Sequence, residues 1–290
     1  MKKIIVGLGE ILWDVFPTGK VLGGAPANFA YHVNQSGCEG YVVSAVGEDK
    51  LGREVLKNIS DRKVPHIIQK TGYPTGTVKI IVDRNGVPSY EITEDVAWDH
   101  IEFTPQMEKL AQNTSAVCFG TLAQRNEVSR KTISRFFEAM PAESLKVYDI
   151  NLRQHFYSKE LIERSLRISN ILKLNNEELD MVSKLFILSG NESEQCRQLM
   201  RDFSLETVVL TKGTEGSRIV TETANSLLPT PKVKVKDTVG AGDAFTAAFI
   251  ASYMNGGSME TAHRYAVNVA AYVCTKKGAM PPCDYTNVNL

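Results

Sequence analysis

The segment from Asp243 to about Met254 constrains the fold most. Its apolar residues cover nearly every face of a helix, so it reads as a buried helix. The run Asp237-Thr238-Val239-Gly240-Ala241-Gly242-Asp243 leads into it. Gly240 and Gly242 have no side chain and let a ligand approach the backbone; Ala241 adds only a methyl. A small-residue loop at a helix start leaves N–H groups unpaired at the positive end of the helix dipole, which is an anion site, and phosphate is the usual anion. Asp243 puts a carboxylate beside it. A lone acid near phosphate repels it, which makes sense if the acid acts on a second substrate. The competing reading is a plain N-cap, because aspartate caps helices and glycines are common in turns.

The rest of the chain supplies strands and helices in alternation. Ile4 to Leu8 is a short apolar run suited to a strand buried on both faces. Gly7-x-Gly9 follows, but Leu12 stands where a dinucleotide fingerprint needs glycine, which rejects that reading. Glu10 and Asp14 lie just past the strand, at the edge where α/β proteins place ligands. In Gly23-Gly24-Ala25-Pro26-Ala27-Asn28-Phe29-Ala30, Pro26 fits a first helical turn and Gly37 ends the helix. Tyr41 to Val46 reads as a strand and Gly47 to about Ser60 as a loop opening a helix. Thr75–Val82 and Val87–Thr93 flank Asp83-Arg84-Asn85-Gly86, and Asn-Gly is a strong hairpin signal. Val78, Ile80, Val82, Tyr90 and Ile92 give this hairpin one apolar face, and it should stand apart from the main sheet.

Thr104-Pro105 caps a short helix, and beyond it the spacing predicts helices at 127–139, 158–168, from about 176, 192–203 and 259–275. Strands are predicted at 116–119, 146–150, 171–174, 207–211 and 217–220, with Val233 to Val235 leading into the glycine run. This rhythm implies an α/β fold, a doubly wound, mostly parallel sheet with helices on both faces. Three loops should end strands at the ligand edge: Gly120 to Arg125, Asp149-x-Asn151-x-Arg153 and Asn175-Asn176-Glu177-Glu178.

Net charge is zero, with 43% apolar and 23% charged residues, so nothing points to nucleic acid or an acidic membrane surface as partner. No stretch approaches the length of a membrane span. Five cysteines without a Cys-x-x-Cys pair suit reduced thiols and a cytoplasmic location. The five histidines show no metal-ligand spacing, and neither a P-loop nor a Gly-x-Ser-x-Gly elbow is present.

The run 237–243 resembles the C-terminal signature of the ribokinase, or PfkB, family of sugar kinases, and 23–30 resembles its N-terminal signature. The resemblance extends from Gly7 to about Pro281 and implies one ribokinase-like domain over 1–290, with a small β-sheet lid formed by about 11–22 and 75–98. It implies Asp243 as catalytic base and the Gly240-Ala241-Gly242 backbone as anion hole. Asp14, Gly24, Asn28 and Arg153 would surround the sugar. ATP would lie over Thr211, Gly213 and Gly216 against Asn268. Asn175-x-x-Glu178 matches the family's Asn-x-x-Glu motif, which organises magnesium and phosphate through water. Asp237, Val239 and Gly278 are where a monovalent cation such as potassium would sit. Gly120 to Arg125 looks most like the fructokinase branch, and the lid suggests a homodimer. Other acceptors stay open, 2-keto-3-deoxygluconate, another sugar or a nucleoside, as does a non-catalytic sugar-sensing module.

Overall fold

A computed structural model describes residues 2–82, 88–282 and 285. The predicted turn Asp83 to Gly86 lies outside the described residues, as does Val87. The strands are β1 (Ile4–Leu8), β2 (Leu12–Phe16), β3 (Gly19–Gly23), β4 (Glu39–Gly47), β5 (His66–Thr71), β6 (Gly76–Val82), β7 (Pro88–Ile92), β8 (Ala116–Phe119), β9 (Leu145–Asp149), β10 (Ile171–Asn175), β11 (Thr207–Thr211), β12 (Ser217–Thr221) and β13 (Asn225–Leu228). The helices are α1 (Ala25–Gln35), α2 (Lys50–Asp61), α3 (Pro105–Ala111), α4 (Glu127–Ala139), α5 (Lys159–Arg167), α6 (Asn176–Phe186), α7 (Glu192–Phe203), α8 (Ala241–Met254) and α9 (Met259–Cys274).

The main sheet has nine strands in the order β13-β12-β11-β10-β9-β8-β1-β4-β5. Every pair from β5 to β11 is parallel, and β12 and β13 add an antiparallel edge. The chain starts in the middle, at β1, builds outward to β4 and β5, then returns to the other side of β1 with β8. The carboxyl ends of β1 and β8 therefore flank a topological switch point, where an open α/β sheet leaves a crevice for a ligand. Alternate strand residues feed two cores. Ile5, Ala116, Val147, Ile171 and Val209 pack with Phe29 of α1 and the apolar residues of α8 and α9. Val6, Val117, Tyr148, Leu172 and Val208 pack against α3, α4, α5, α6 and α7. Helix α8 lies between sheet, α1 and α9, which explains a sequence with no polar face.

A second sheet has the order β3-β2-β6-β7. The strands β2 and β3, and also β5 and β13, carry weak sequence signals: a short polar-interrupted segment pairs only because a neighbour offers it a ladder. Val233 to Val235 is irregular, and the strand nearest the glycine run is β13. The hairpin's apolar face is only partly enclosed. Val78 and Ile92 pair across β6 and β7 and are buried in the main core, whereas Tyr90 on β7 is 57% exposed. Ile92 lies over the core and Tyr90, two residues earlier on the same face, lies beyond its edge. Gln124, Thr121 and Arg125 are also turned inward, not toward a ligand. Thr121 Oγ1 donates to the Ile150 carbonyl, Gln124 Nε2 donates to the Gly120 carbonyl and to Ser165 Oγ, and Arg125 forms a two-pronged pair with Asp99 (2.8 and 2.7 Å) while lying over the Trp98 and Phe156 rings.

Candidate active site

Two distant segments meet at the switch point. Asn28 of α1 donates from Nδ2 to Asp243 Oδ2 at 2.7 Å, across 215 residues of sequence. Asn28 is buried, so it is not a solvent-facing helix residue, and its own Oδ1 has no hydrogen-bond partner among the described residues. Gly24 caps α1 with φ 111°, and a Cβ there would stand 2.5 Å from the Glu10 carbonyl oxygen. The turn after β1 and the start of α1 are thus pressed together by a residue that has to be glycine.

At the start of α8, Gly240 takes a left-handed conformation (φ 78°), and a Cβ on it would come within 2.8 Å of the Ala279 backbone. The Ala241 N–H is used in a turn with the Thr238 carbonyl (3.2 Å), and the Ala244 N–H bonds the Gly240 carbonyl. The N–H groups of Gly240, Gly242 and Asp243 have no acceptor among the described residues. The free donors are therefore those of the glycines and Asp243, while Ala241 shapes the loop. They crown a helix N-terminus and can receive an anion.

Beneath this loop lies a residue that the sequence reading passed over. Lys173 Nζ pairs with Asp149 Oδ1 at 3.0 Å, both side chains buried, and it would stand 3.4 Å from a Cβ on Gly242. Burial alone would discharge this lysine; the carboxylates of Asp149, Glu178 and Asp243 outweigh that and hold it charged. The signal was present in the sequence: a lysine in the middle of the otherwise apolar strand Ile171-Leu172-Lys173-Leu174. A buried cation is rare unless paired.

Asp243 is pushed up to about 6 by burial first and then by the charge of Asp149, with the Asn28 hydrogen bond and Lys173 working against the shift. It is a carboxylate at neutral pH and a better proton acceptor than an exposed aspartate. Asp14, in β2, is likewise pushed up to about 6 by burial, opposed by Arg153. Arg153 is exposed, and its Nη1 donates to the neighbouring Leu152 carbonyl.

The remaining expected positions divide. Glu178 is buried, and its two carboxylate oxygens accept the N–H groups of Leu152 (3.0 Å) and Asn175 (2.8 Å), while Asn175 Oδ1 accepts the Glu178 N–H in return. This is a capping box for α6. A carboxylate has about four lone-pair sites, so Glu178 keeps room for a metal-bound water. Asp237, Val239 and Gly278 do come together: Asp237 Oδ1 accepts the Val239 N–H and its Oδ2 the Gly278 N–H. Among the described residues no group of three or more His, Cys, Asp or Glu is placed to hold a metal by side chains alone. Thr211 ends β11, and Gly213 and Gly216 turn the loop after it with positive φ. Asn268 is half-buried on α9, and its side chain makes no hydrogen bond among the described residues.

Comparison with known proteins agrees with this architecture. Residues 8–285 match the pfkB family carbohydrate kinases. A putative sugar kinase of Pyrococcus horikoshii is 25% identical, covering 95% of this chain and 91% of its own length. The fructokinase of Salmonella typhimurium is 27% identical, covering 96% and 95%. The crystal structure of an ATP-bound fructokinase from Xylella fastidiosa superposes with a TM-score of 0.83 at 20% identity, over 97% of this chain and 94% of that one. No helix of the described residues is long and apolar enough to cross a membrane. The match runs through both ends of the crevice and leaves little of the chain outside it, so the protein belongs to the pfkB family of carbohydrate kinases and is a phosphotransferase.

Proposed function

We propose that the protein transfers the γ-phosphate of ATP to the 6-hydroxyl of D-fructose, with Asp243 as general base. The observation that carries this reading is the hydrogen bond between Asn28 and Asp243. It joins a sugar-holding helix start to a phosphate-holding helix start, so acceptor and donor meet at one carboxylate. A sugar hydroxyl is a poor nucleophile, and its proton has to leave as the oxygen–phosphorus bond forms. Asp243 takes that proton. Asn28 keeps the Asp243 carboxylate aimed, and its free Oδ1 accepts from a second sugar hydroxyl. Asp14 and Arg153 complete the sugar's surroundings near Gly24.

Charge that develops on the transferred phosphate is met by the unpaired N–H groups at the start of α8, on residues that are half-buried, and by buried Lys173 below them. The nucleotide extends from there over Thr211, Gly213 and Gly216 toward Asn268, with Asn175 at the phosphate end. Magnesium, held through water on Glu178, supplies neutralisation of the ATP phosphates when bound. Potassium would sit beside Asp237, Val239 and Gly278, where it would steady the anion-hole loop. The small sheet would act as a lid that excludes water.

The substrate part of the reading rests on the relatives named fructokinase and on the neutral character of the chain. The segment Gly120 to Arg125 does not support it through contact, because apart from Gly120 its side chains serve packing. An ADP-release screen across ketoses, aldoses, keto-acids and nucleosides tests it. Fructose should give a kcat/KM at least about tenfold above 2-keto-3-deoxygluconate, about 1.4 kcal/mol of discrimination. A preference for the acidic sugar would reassign the substrate and make Arg153 its carboxylate partner, since a guanidinium matches a carboxylate in a fork. Tight sugar binding with no ADP release would leave a sensor module instead.

A further inference from the structure

Glu10 is a carboxyl for which the phosphoryl transfer described above has no task. It follows β1 at the switch point, is 3% exposed, and its Oε2 is buried without a hydrogen-bond partner among the described residues. Burying a carboxylate with one oxygen unpaired is unfavourable enough that such groups change protonation state instead. A glutamine or leucine would fill the same place without that penalty. Glu10 also lines a small cavity of about 10 Å³ whose other polar walls are Asp149, Asn151 and Asp243. That is room for about one water, with enough polar groups around it to hold one.

The charged groups around Glu10 come from each element packed against it. Asp243 faces it from α8 and Asp149 from β9, and Arg153 acts from the loop after β9. Lys173 on β10 is committed to Asp149. The Cys118 thiol on β8 lines the same cavity and is pushed up by burial, so it stays neutral. Burial first, then Asp243 and Asp149, push Glu10 up to about 7, against its own backbone N–H and Arg153. Glu10 therefore holds a proton more tightly than Asp243, which lies at about 6.

We propose that Glu10 is the second proton-holding carboxyl of this site, receiving from Asp243, through a water in the cavity between them, the proton that the sugar hydroxyl gives up. The proposal rests on the kinase reading above. In the first step the sugar O–H breaks, its electron pair forms the bond to the γ-phosphorus, the bond from that phosphorus to the ADP oxygen breaks with its pair, and the proton goes to Asp243. In the second, the Asp243 O–H breaks, its proton joins the cavity water, and that water passes another of its protons to Glu10 Oε2. Asp243 is a carboxylate again and no net charge is created. Glu10 releases the proton to solvent as product leaves. Moving the proton to Glu10 lowers the fraction of Asp243 that holds it and restores Asp243 as a carboxylate for the next turnover.

The test is the acid limb of kcat, measured between about pH 5 and 8 with the sugar found by the screen and with folding checked at each pH. In the wild-type chain two carboxyls have to be ionised, so log kcat against pH should approach a slope of two; a slope of one overturns the proposal without needing any variant. Glu10→Gln should lower kcat about tenfold or more, a share of the usual contribution of positioned proton transfer. It should also reduce the slope to one and leave both KM values within about twofold, because only the backbone of Glu10 presses on Gly24 and glutamine leaves that backbone in place. Glu10→Asp should recover part of kcat and the slope of two; a purely structural role would move melting temperature and leave the slope alone. Glu10→Gln with wild-type kcat and profile overturns the relay. If Asp243→Asn is then still inactive, the kinase reading stands and only the role of Glu10 falls.

Discussion

At the residue scale the firmest expectation concerns Asp243. Asp243→Asn keeps the size of the side chain and the hydrogen bond with Asn28, because the amide oxygen can still accept, but it cannot take a proton. It should lose about 10²–10⁴-fold in kcat, with KM for ATP little changed. Because burial pushes Asp243 from 3.8 up to about 6, the folded state binds this proton more tightly than the unfolded chain does. Its contribution to stability is complete below the unfolded value and is lost as pH rises through about 6. At neutral pH the half-buried charge therefore destabilises, by at most about 2–3 kcal/mol, and Asp243→Asn should melt at or above the wild-type temperature while being nearly inactive. A folded variant that keeps more than about a third of kcat would reduce Asp243 to a helix cap, far from the loss expected for a missing base.

The two glycines of the loop separate folding from chemistry. Gly240 has positive φ and no space for a Cβ beside Ala279, so Gly240→Ala should destabilise by at least about 1–3 kcal/mol. A Cβ on Gly242 makes only ordinary contact with the end of Lys173, and alanine favours a helix over glycine by about 1 kcal/mol. Gly242→Ala should therefore melt no lower than wild type yet lose about tenfold or more in kcat, because the methyl holds phosphate off its donors and small misplacements are expensive in rate. Thermal melting and steady-state assays on the two variants distinguish these outcomes directly.

At the scale of elements, Arg125 is the joint between the main body and the small sheet. It pairs with Asp99, which is nearly inaccessible, and donates to the Thr93 carbonyl at the end of β7. Arg125→Ala strands a buried carboxylate, and the expected loss is about 3–5 kcal/mol, readable in a denaturant titration. Gln154 Nε2 donates to the Tyr90 carbonyl, so the loop that carries Arg153 also touches β7. Closure of that sheet over the crevice would therefore be felt at the sugar. Deleting residues 84–87 should raise the sugar KM several-fold and leave the melting temperature near wild type. Phe16, Val21 and Tyr90 remain exposed on the small sheet, a face that a second copy of the chain would cover. Unchanged sugar kinetics together with a monomeric sedimentation profile would remove both the lid and the dimer.

Across the whole molecule, local physics accounts for most of what could be read before the fold was known. The caps Thr104, Ser158, Asn175 and Asn191, each accepting an N–H from the turn it opens, mark helix starts that sequence alone indicates, because capping needs only neighbours. The apolar strands β8, β9, β10 and β11 and the unbroken apolar surface of α8 likewise determine a parallel sheet covered on both faces. The expectation of an anion site at the glycine run comes from the same kind of local argument. Tertiary structure decided the rest. It made β2, β3, β5 and β13 strands by giving them partners. It turned Gln124 and Arg125 inward, because burial depends on what packs above a loop. It set Lys173 under Gly242 and Glu10 beside Asp243, pairings between residues far apart in the chain whose electrostatic consequences exist only once water has been excluded from between them.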